Sequence, residues 1–322
     1  MNEISYSKAI NAALREELAR DERVVVLGED VALAGGTFGI TRGLLNDFGP
    51  KRVIDTPIAE NSIVGLAVGA AMTGMRPVVE IMFMDFITLC MDQIVNQAAK
   101  SHYMFGGLAV PLVVRTLAGA GLTAGPQHSQ SLEAWFAHVP GLKVIAPATP
   151  RDAKGLLKAA IRDNGPVVFV ENKALLRSRG PVPEGDVPIP IGHADVRREG
   201  QDVTVVATGQ MVHKALKSAE LLAGEGISVE VIDLRTISPW DQSTVIESVQ
   251  KTKRAVIAHE AVGPFGTGAE VAAVIADEAF DYLDAPVKRI GAPFAPVPYS
   301  PVLEKAYVPG EEQIARVIRG LV

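Results

Sequence analysis

Cysteine is nearly missing from this chain of 322 residues, where Cys90 stands alone. A single thiol excludes an intramolecular disulfide framework and any multi-cysteine zinc or iron–sulfur site, and it fits a reducing compartment, the cytoplasm. Basic tracts are missing as well. With a formal net charge of −6 and a pI near 5.6, the chain lacks the electrostatic footprint that nucleic acid requires. No uncharged apolar run of about 18 residues occurs, and residues 1–7 lack the basic-then-apolar pattern of a signal peptide, so nothing directs the chain to a membrane. Several catalytic signatures are also absent. No Gly-x-Gly-x-x-Gly follows a strand, since Gly263-Pro-Phe-Gly266-Thr-Gly268 has the wrong spacing, and no P-loop exists. Hydride transfer on a Rossmann fingerprint and P-loop phosphoryl transfer lose support. Gly-x-Ser-x-Gly and His-Glu-x-x-His are missing too, which weakens hydrolase and metalloprotease readings.

What is present is a chain built to bury surface. Hydrophobic residues make up 48% and charged residues 21%, with a mean hydropathy of +0.21, so disorder is excluded and a length worth about two domains can fold. Helical and strand patterns alternate. Residues 7–19 read as helix, 24–27 as a strand buried on both faces, 61–75 as helix, 78–84 as strand, 85–100 as helix and 112–116 as strand. Helix 132–137, strand 143–146, helix 150–162 and strand 167–171 continue the order. This is an α/β fold with a mainly parallel sheet covered by helices. The pattern stops between Asn172 and Gly192, where Gly180, Pro181, Pro183, Gly185, Pro188 and Pro190 mark a linker. It resumes with strand 203–207, helix 211–222, strand 228–234, helix 241–250, strand 255–259, helix 268–283 and a closing helix 311–321. The expected boundaries are an α/β domain over 1–175, a Pro/Gly-rich linker over 176–192 and a second α/β domain over 193–322.

Three stretches could carry chemistry. In Asp55-Thr-Pro-Ile-Ala-Glu60-Asn61-Ser62, Asn61 or Ser62 is a natural helix cap, which puts Glu60 just outside a helix rich in Gly and Ala. An acid there also simply complements the helix dipole, worth ~0.3–1 kcal/mol. The second stretch runs from Val78 to Phe86 and carries a strand into a helix at the end of a parallel sheet where ligands sit. Met82 and Phe86 could line an aromatic ligand, and both equally suit a core. The third is the loop Gly119-Ala-Gly-Leu-Thr-Ala-Gly-Pro-Gln127-His128-Ser129-Gln130, which presents a histidine near a helix start that disfavours its cation.

Taken together, Leu27-Gly-Glu-Asp-Val31, Asp55-Thr-Pro-Ile-Ala-Glu60, Gln127-His-Ser-Gln130, Ala153-Lys-Gly-Leu-Leu157 and Val231-Ile-Asp-Leu-Arg-Thr-Ile-Ser-Pro239 resemble the β subunit of the thiamine-diphosphate-dependent E1 component of 2-oxo acid dehydrogenase complexes. The resemblance covers nearly the whole chain. It implies a transketolase-like pyrimidine-binding domain, a parallel sheet flanked by helices, followed by a transketolase C-terminal α/β domain. It implies an E1 α partner in an α2β2 heterotetramer, an E2 lipoyl acyltransferase as acceptor, and oxidative decarboxylation of a 2-oxo acid. Thiamine diphosphate would be shared with the α subunit. The Gly-Asp-Gly motif that holds the diphosphate and its Mg2+ in such enzymes is absent here, so the α subunit must supply it and this chain alone should be inactive.

Carried over residue by residue, Glu60 matches the glutamate that shares a proton with N1′ of the aminopyrimidine. Its apolar neighbours Ile58, Ile63 and Val64 should favour the neutral acid once cofactor excludes water. Met82 and Phe86 match positions that pack on the pyrimidine and orient it, and His128 matches a histidine that protonates or stabilises cofactor-bound intermediates near the entry of the lipoyl arm. Leu112, Ala160, Ile161 and Asp163 resemble a structural K+ site, although Gly165 stands where some relatives have Asn. Asp163 and Asn164 also suit a plain turn before Pro166. Within the family, the stretches 80–86 and 103–107 look closer to acetoin and bacterial pyruvate-type subunits than to branched-chain ones.

Overall fold

The computed structural model describes residues 2–322. The chain groups into two compact units, one running up to Ala118 and joined by Trp135–Ile191, the other formed by Gly119–Ala134 with Gly192–Val322. The loop that carries His128 therefore groups with the second unit, although it interrupts the sequence of the first.

In chain order, the first unit contains β1 (Asn2–Ser5), α1 (Tyr6–Arg20), β2 (Val24–Gly28), α2 (Leu44–Phe48), β3 (Val53–Asp55), α3 (Glu60–Met72), β4 (Arg76–Ile81), α4 (Ala99–Met104) and β5 (Val113–Ala118). The short helix α5 (Glu133–Ala137) follows, and then β6 (Lys143–Ile145), α6 (Pro150–Arg162), β7 (Val167–Asn172) and β8 (Arg179–Val182). Strands in the order β6-β7-β5-β4-β2-β3 lie in one parallel sheet. Their runs of Val and Ile are buried on both faces, as strands covered by helices require. The core gathers Tyr6, Ile10 and Leu14 of α1, Val24 and Val26 of β2, Leu156 and Leu157 of α6, and Phe169 of β7. Local chemistry sets the helix starts. Ser5 accepts from the Lys8 N–H at 3.3 Å, and Thr149 accepts from Asp152 N at 3.1 Å just ahead of Pro150, the residue types that begin helices.

The stretch 172–192, expected as a linker, holds β8, which pairs antiparallel with β1 from Asn2↔Val182 to Ser5↔Arg179. Proline suits such a two-stranded edge, because it needs no ladder donor on its open side.

The second unit comprises β9 (Asp195–Arg198), β10 (Val203–Ala207), α7 (Gln210–Ala223), β11 (Val229–Asp233), β12 (Thr236–Ser238), α8 (Gln242–Thr252), β13 (Ala255–Val262), α9 (Thr267–Glu278), β14 (Lys288–Ala292), α10 (Pro301–Tyr307) and α11 (Glu311–Arg319). Its sheet runs β14-β13-β10-β11-β9, parallel except for the edge strand β9. Val206, Ile232, Val249, Ile257 and Ile275 fill one side of it. Helix 268–283 of the sequence reading ends at Glu278 and is followed by a 3-10 turn, Phe280–Tyr282. No helix among the described residues is long and apolar enough to cross a membrane.

Candidate active site

Glu60 is the first residue of α3 and is 8% exposed. The expected cap at Asn61 or Ser62 is not used. The cap residue is Ala59, without a side-chain bond, and its carbonyl takes the N–H groups of Ser62 and Ile63 at 2.9 and 3.0 Å. Asn61 instead turns its Oδ1 on the next amide, Ser62 N, at 2.7 Å. Glu60 thus sits inside the first turn, among its free amides. The approach to it is fixed by Asp55 at the end of β3, whose carboxylate accepts from Ala32 N at 2.6 Å and Leu33 N at 3.1 Å and so ties down the loop after β2.

That loop opens with Glu29, a residue to which the sequence analysis gave no role although it lies in the motif 27–31. Burial first, and the Glu60 charge second, push the Glu29 carboxyl above the ordinary range. Its Oε1 is buried and has no hydrogen-bond partner among the described residues. On the other side of Glu60, the Cys90 thiol is pushed up to about 12 by burial and by the Glu60 charge, and stays a neutral apolar group. Two carboxyl groups close enough for the charge of one to raise the other are a candidate acid–base pair.

The strand expected to reach Met84 ends at Ile81, and the helix expected over 85–100 is broken into a 3-10 turn at Phe86–Cys90, a π-helical turn at Gln93–Ala98 and α4. The 3-10 turn packs against α3. Irregular helix of this kind is common at functional sites. Met82 and Phe86, both half-buried, lie at this corner. Phe83 meets Phe86 edge-on with centroids 5.7 Å apart and meets Phe38 edge-on at 5.9 Å. The Lys173 ammonium lies 5.1 Å from the Phe83 ring centre, an arrangement that holds that ring by its negative face. Glu60, Met82 and Phe86 all lie in the first unit, Phe86 in the turn that packs against α3. His128, half-buried on its loop, belongs to the second.

Leu112, Ala160, Ile161 and Asp163 also lie together, but their oxygens are already taken. Leu112 O accepts from Val167 N at 2.8 Å, and Ala160 O from Asp163 N at 3.3 Å. Arg76 Nη1 donates to Ile161 O at 2.9 Å and to Asp163 O at 3.0 Å, and its Nη2 reaches Asn164 Oδ1 at 2.7 Å. The Asp163 carboxylate accepts from Lys143 Nζ and from Gly165 N, each at 2.7 Å. Cationic side chains of the protein itself occupy Ile161 O, Asp163 O and the Asp163 carboxylate, while the Leu112 and Ala160 carbonyls each accept a backbone amide. As it stands, this donor set does not fit K+. Among the described residues, no cluster of three His, Cys, Asp or Glu could hold a metal.

Residues 2–179 match the transketolase pyrimidine binding domain family and residues 192–314 the transketolase C-terminal domain family. The chain is 49% identical to the β subunit of acetoin:2,6-dichlorophenolindophenol oxidoreductase of Bacillus subtilis, over 98% of this chain and 96% of the relative. It is 47% identical to the 2-oxoisovalerate dehydrogenase β subunit of the same organism, over 100% and 99%. It is 48% identical to the pyruvate dehydrogenase E1 β subunit of Rickettsia felis, over 98% of each chain. A solved structure described as a split gene transketolase, inactive beta4 tetramer, superposes with a TM-score of 0.82 over 99% of this chain and 98% of that one, at 24% identity, a likeness of fold.

Proposed function

We propose, from the premise that the chain belongs to the family of E1 β subunits of thiamine-dependent 2-oxo acid dehydrogenase complexes, that it works as one half of such an enzyme. With an α subunit in an α2β2 heterotetramer it carries out the oxidative decarboxylation of a pyruvate-type 2-oxo acid and passes the acyl group to the lipoyl arm of an E2 acyltransferase. The observation that carries this reading is Glu60, a buried carboxylate in the first turn of a helix, with the raised carboxyl of Glu29 beside it.

The residues fit half of the cofactor. A flat heteroaromatic base needs an acid at its ring nitrogen and apolar surface on its faces, and Glu60 with Met82 and Phe86 offers both. The other half needs an oxyanion cradle and a magnesium ligand set, and the sequence has no Gly-Asp-Gly to build them. The α subunit holds that part. When bound, thiamine diphosphate supplies the electron sink for cleaving the bond to the carboxylate. Glu60 holds a proton at N1′ of the pyrimidine and so sets its tautomer. Phe86 is braced by Phe83 and keeps the ring plane fixed. His128 moves a proton during acyl transfer.

Acetoin is a second reading, because two relatives at 49% and 48% identity are acetoin oxidoreductase β subunits. Mixing the purified chain with its candidate α partner tests both. The expected result is an activity that neither chain has alone, with pyruvate preferred over acetoin and 2-oxoisovalerate. A partner whose activity is unchanged by this chain would mean a non-catalytic docking subunit. Glu60→Gln with ordinary exchange of the thiazolium C2 proton would remove the acid–base role.

A further inference from the structure

The His128 loop is held by two buried carboxylates that the mechanism above does not use. Its ends are tied by Gly119 N donating to Gln130 O at 3.3 Å, which closes the segment into a ring. Inside that ring, successive backbone amides turn toward acids from elsewhere in the second unit. Ala120 N donates to Glu260 Oε1 of β13 at 2.7 Å. Gly121 N donates to Glu304 Oε1 of α10 at 2.9 Å, and Thr123 N to both Glu304 oxygens at 3.0 and 3.1 Å. Positive φ at Gly121 (115°) and Thr123 (53°) aims these amides to one side, the geometry of a backbone anion nest. Further along, Gly125, at φ 74°, lies so close under the Tyr299 ring that a Cβ there would stand 2.1 Å from it. Its carbonyl accepts from His128 N at 3.3 Å.

Glu260 and Glu304 are 8% and 5% exposed. Carboxyl groups so buried need hydrogen-bond partners in place of water, and the loop amides are donors to them. Each side therefore needs the other. The neighbouring Glu133 carboxyl is pushed up to about 7 by burial, with the Glu260 charge adding to it.

We propose that Glu260 and Glu304 are positioning residues for His128: through the loop backbone they fix where the imidazole stands when the acyl group is transferred. The role assigned to His128 rests on the E1 reading, whereas the clasp itself does not.

Two measurements separate the clasp from the reading. Amide hydrogen exchange on the full chain alone should show Gly121 and Thr123 protected. In Glu304→Ala they should exchange at least tenfold faster, while β13 keeps its protection. Glu304→Gln retains an accepting oxygen and should restore most of the protection, and Glu260→Gln serves the same purpose if the alanine variant does not fold. Unprotected loop amides in the unaltered chain would overturn the clasp, whatever the enzyme's reaction. In the complex reconstituted with its α partner, transfer to a lipoyl domain should fall roughly 10- to 100-fold in kcat in both Glu304→Ala and His128→Ala, with KM for the 2-oxo acid unchanged. The double variant should be no slower than His128→Ala within about twofold, since both act through one group. Losses that multiply would make Glu304 merely structural. Normal transfer in His128→Ala would overturn the histidine's role and with it the positioning proposal, leaving the exchange result to stand for the clasp.

Discussion

Arg115 stands 2.7 Å from Glu171 on the next strand, and the same guanidinium reaches 2.8 Å to Glu80 on the strand at its other side. One cation is thus divided between two carboxyl groups, all three nearly sealed from water. A single charge does not neutralise two, and the Glu171 Oε2 has no hydrogen-bond partner among the described residues. Burial pushes the Glu171 carboxyl up to about 7, the Glu80 charge adds to that, and Arg115 pulls back. Between the ordinary 4.5 and about 7 the folded chain holds a proton that the unfolded chain releases, so stability falls as pH rises through that window. The full effect is at most about 3 kcal/mol. Glu171→Gln should therefore raise the urea midpoint at pH 8 and leave it nearly unchanged at pH 5, whereas Arg115→Met strands a buried charge and should cost ~3–5 kcal/mol near neutral pH. Equal midpoints for wild type and Glu171→Gln at pH 8 would show that the proton is not held there.

Glu29 and Glu60 give a site-level counterpart. The Glu29 carboxyl is raised by burial and then by the Glu60 charge, so removing that charge without removing the side chain separates the two causes. In Glu60→Gln the Glu29 carboxyl should titrate at lower pH than in the wild type while remaining above the ordinary range, because the burial is unchanged. Carboxyl carbon chemical shifts of the labelled chain, followed against pH, read this directly. A Glu29 titration that does not move would mean that the two acids are insulated from each other.

The alternation of Val-rich runs with amphipathic segments sufficed to place the buried strands β2, β4, β5, β6, β7, β10, β11 and β13 and the longer helices, α6 from Pro150 among them, but not the short strands β1, β3, β8, β9, β12 and β14 or the short helices α2 and α10. What the pattern could not reveal depends on partners far away in the chain. The break of 85–100 into 3-10 and π turns is set by packing of Phe83 against Phe38 and of Phe86–Cys90 against α3, and periodicity carries no trace of either. The Pro-rich stretch hid a strand because its only partner, β1, lies about 175 residues upstream in the register Ile4↔Gly180. Glu60, Met82 and Phe86 were legible as motif residues. Glu29 was visible only as one letter of a motif, since its character comes from the Glu60 field, and Glu260 and Glu304 carry no local signature at all.

Arg76 lends itself to a test of the cation question. Its guanidinium donates to Ile161 O, Asp163 O and Asn164 Oδ1 and joins α6 to the start of β4. Arg76→Met would leave these oxygens without their donor at a cost of ~1–3 kcal/mol for each one that water cannot reach. A fall in Tm of several degrees is expected, at about 2–4 °C per kcal/mol for a unit of this size. Exchanging K+ for Na+ at constant ionic strength should leave the wild-type Tm where it is, because the protein's own cations already fill the site. A Tm that depends on K+ in the wild type would show that the ion competes successfully with the guanidinium.

His259 is wrapped by glycine. The imidazole is 1% exposed, its Nδ1 lies 3.1 Å from Ala261 O and so carries the proton of the neutral ring, and its Nε2 has no hydrogen-bond partner among the described residues. A Cβ at Gly266, Gly268 or Gly291 would come within 2.6, 2.7 or 2.9 Å of the ring. Burial drives the imidazole down to about 4, the Ala261 carbonyl opposing and Arg289 assisting. The unfolded chain binds a proton below about 6.5 that the folded chain refuses, so this part of the stability is present above 6.5 and is lost as pH falls toward 4, by ~3 kcal/mol at the limit. His259→Phe should flatten the acid limb of the stability curve between pH 6.5 and 4. Gly268→Ala should cost ~1–3 kcal/mol by overpacking, and most of that cost should vanish in the His259→Ala background, where the ring is no longer there to collide with. Additive losses in the double variant would mean that helix α9 needs glycine at position 268 for its own backbone, and not for the ring beneath it.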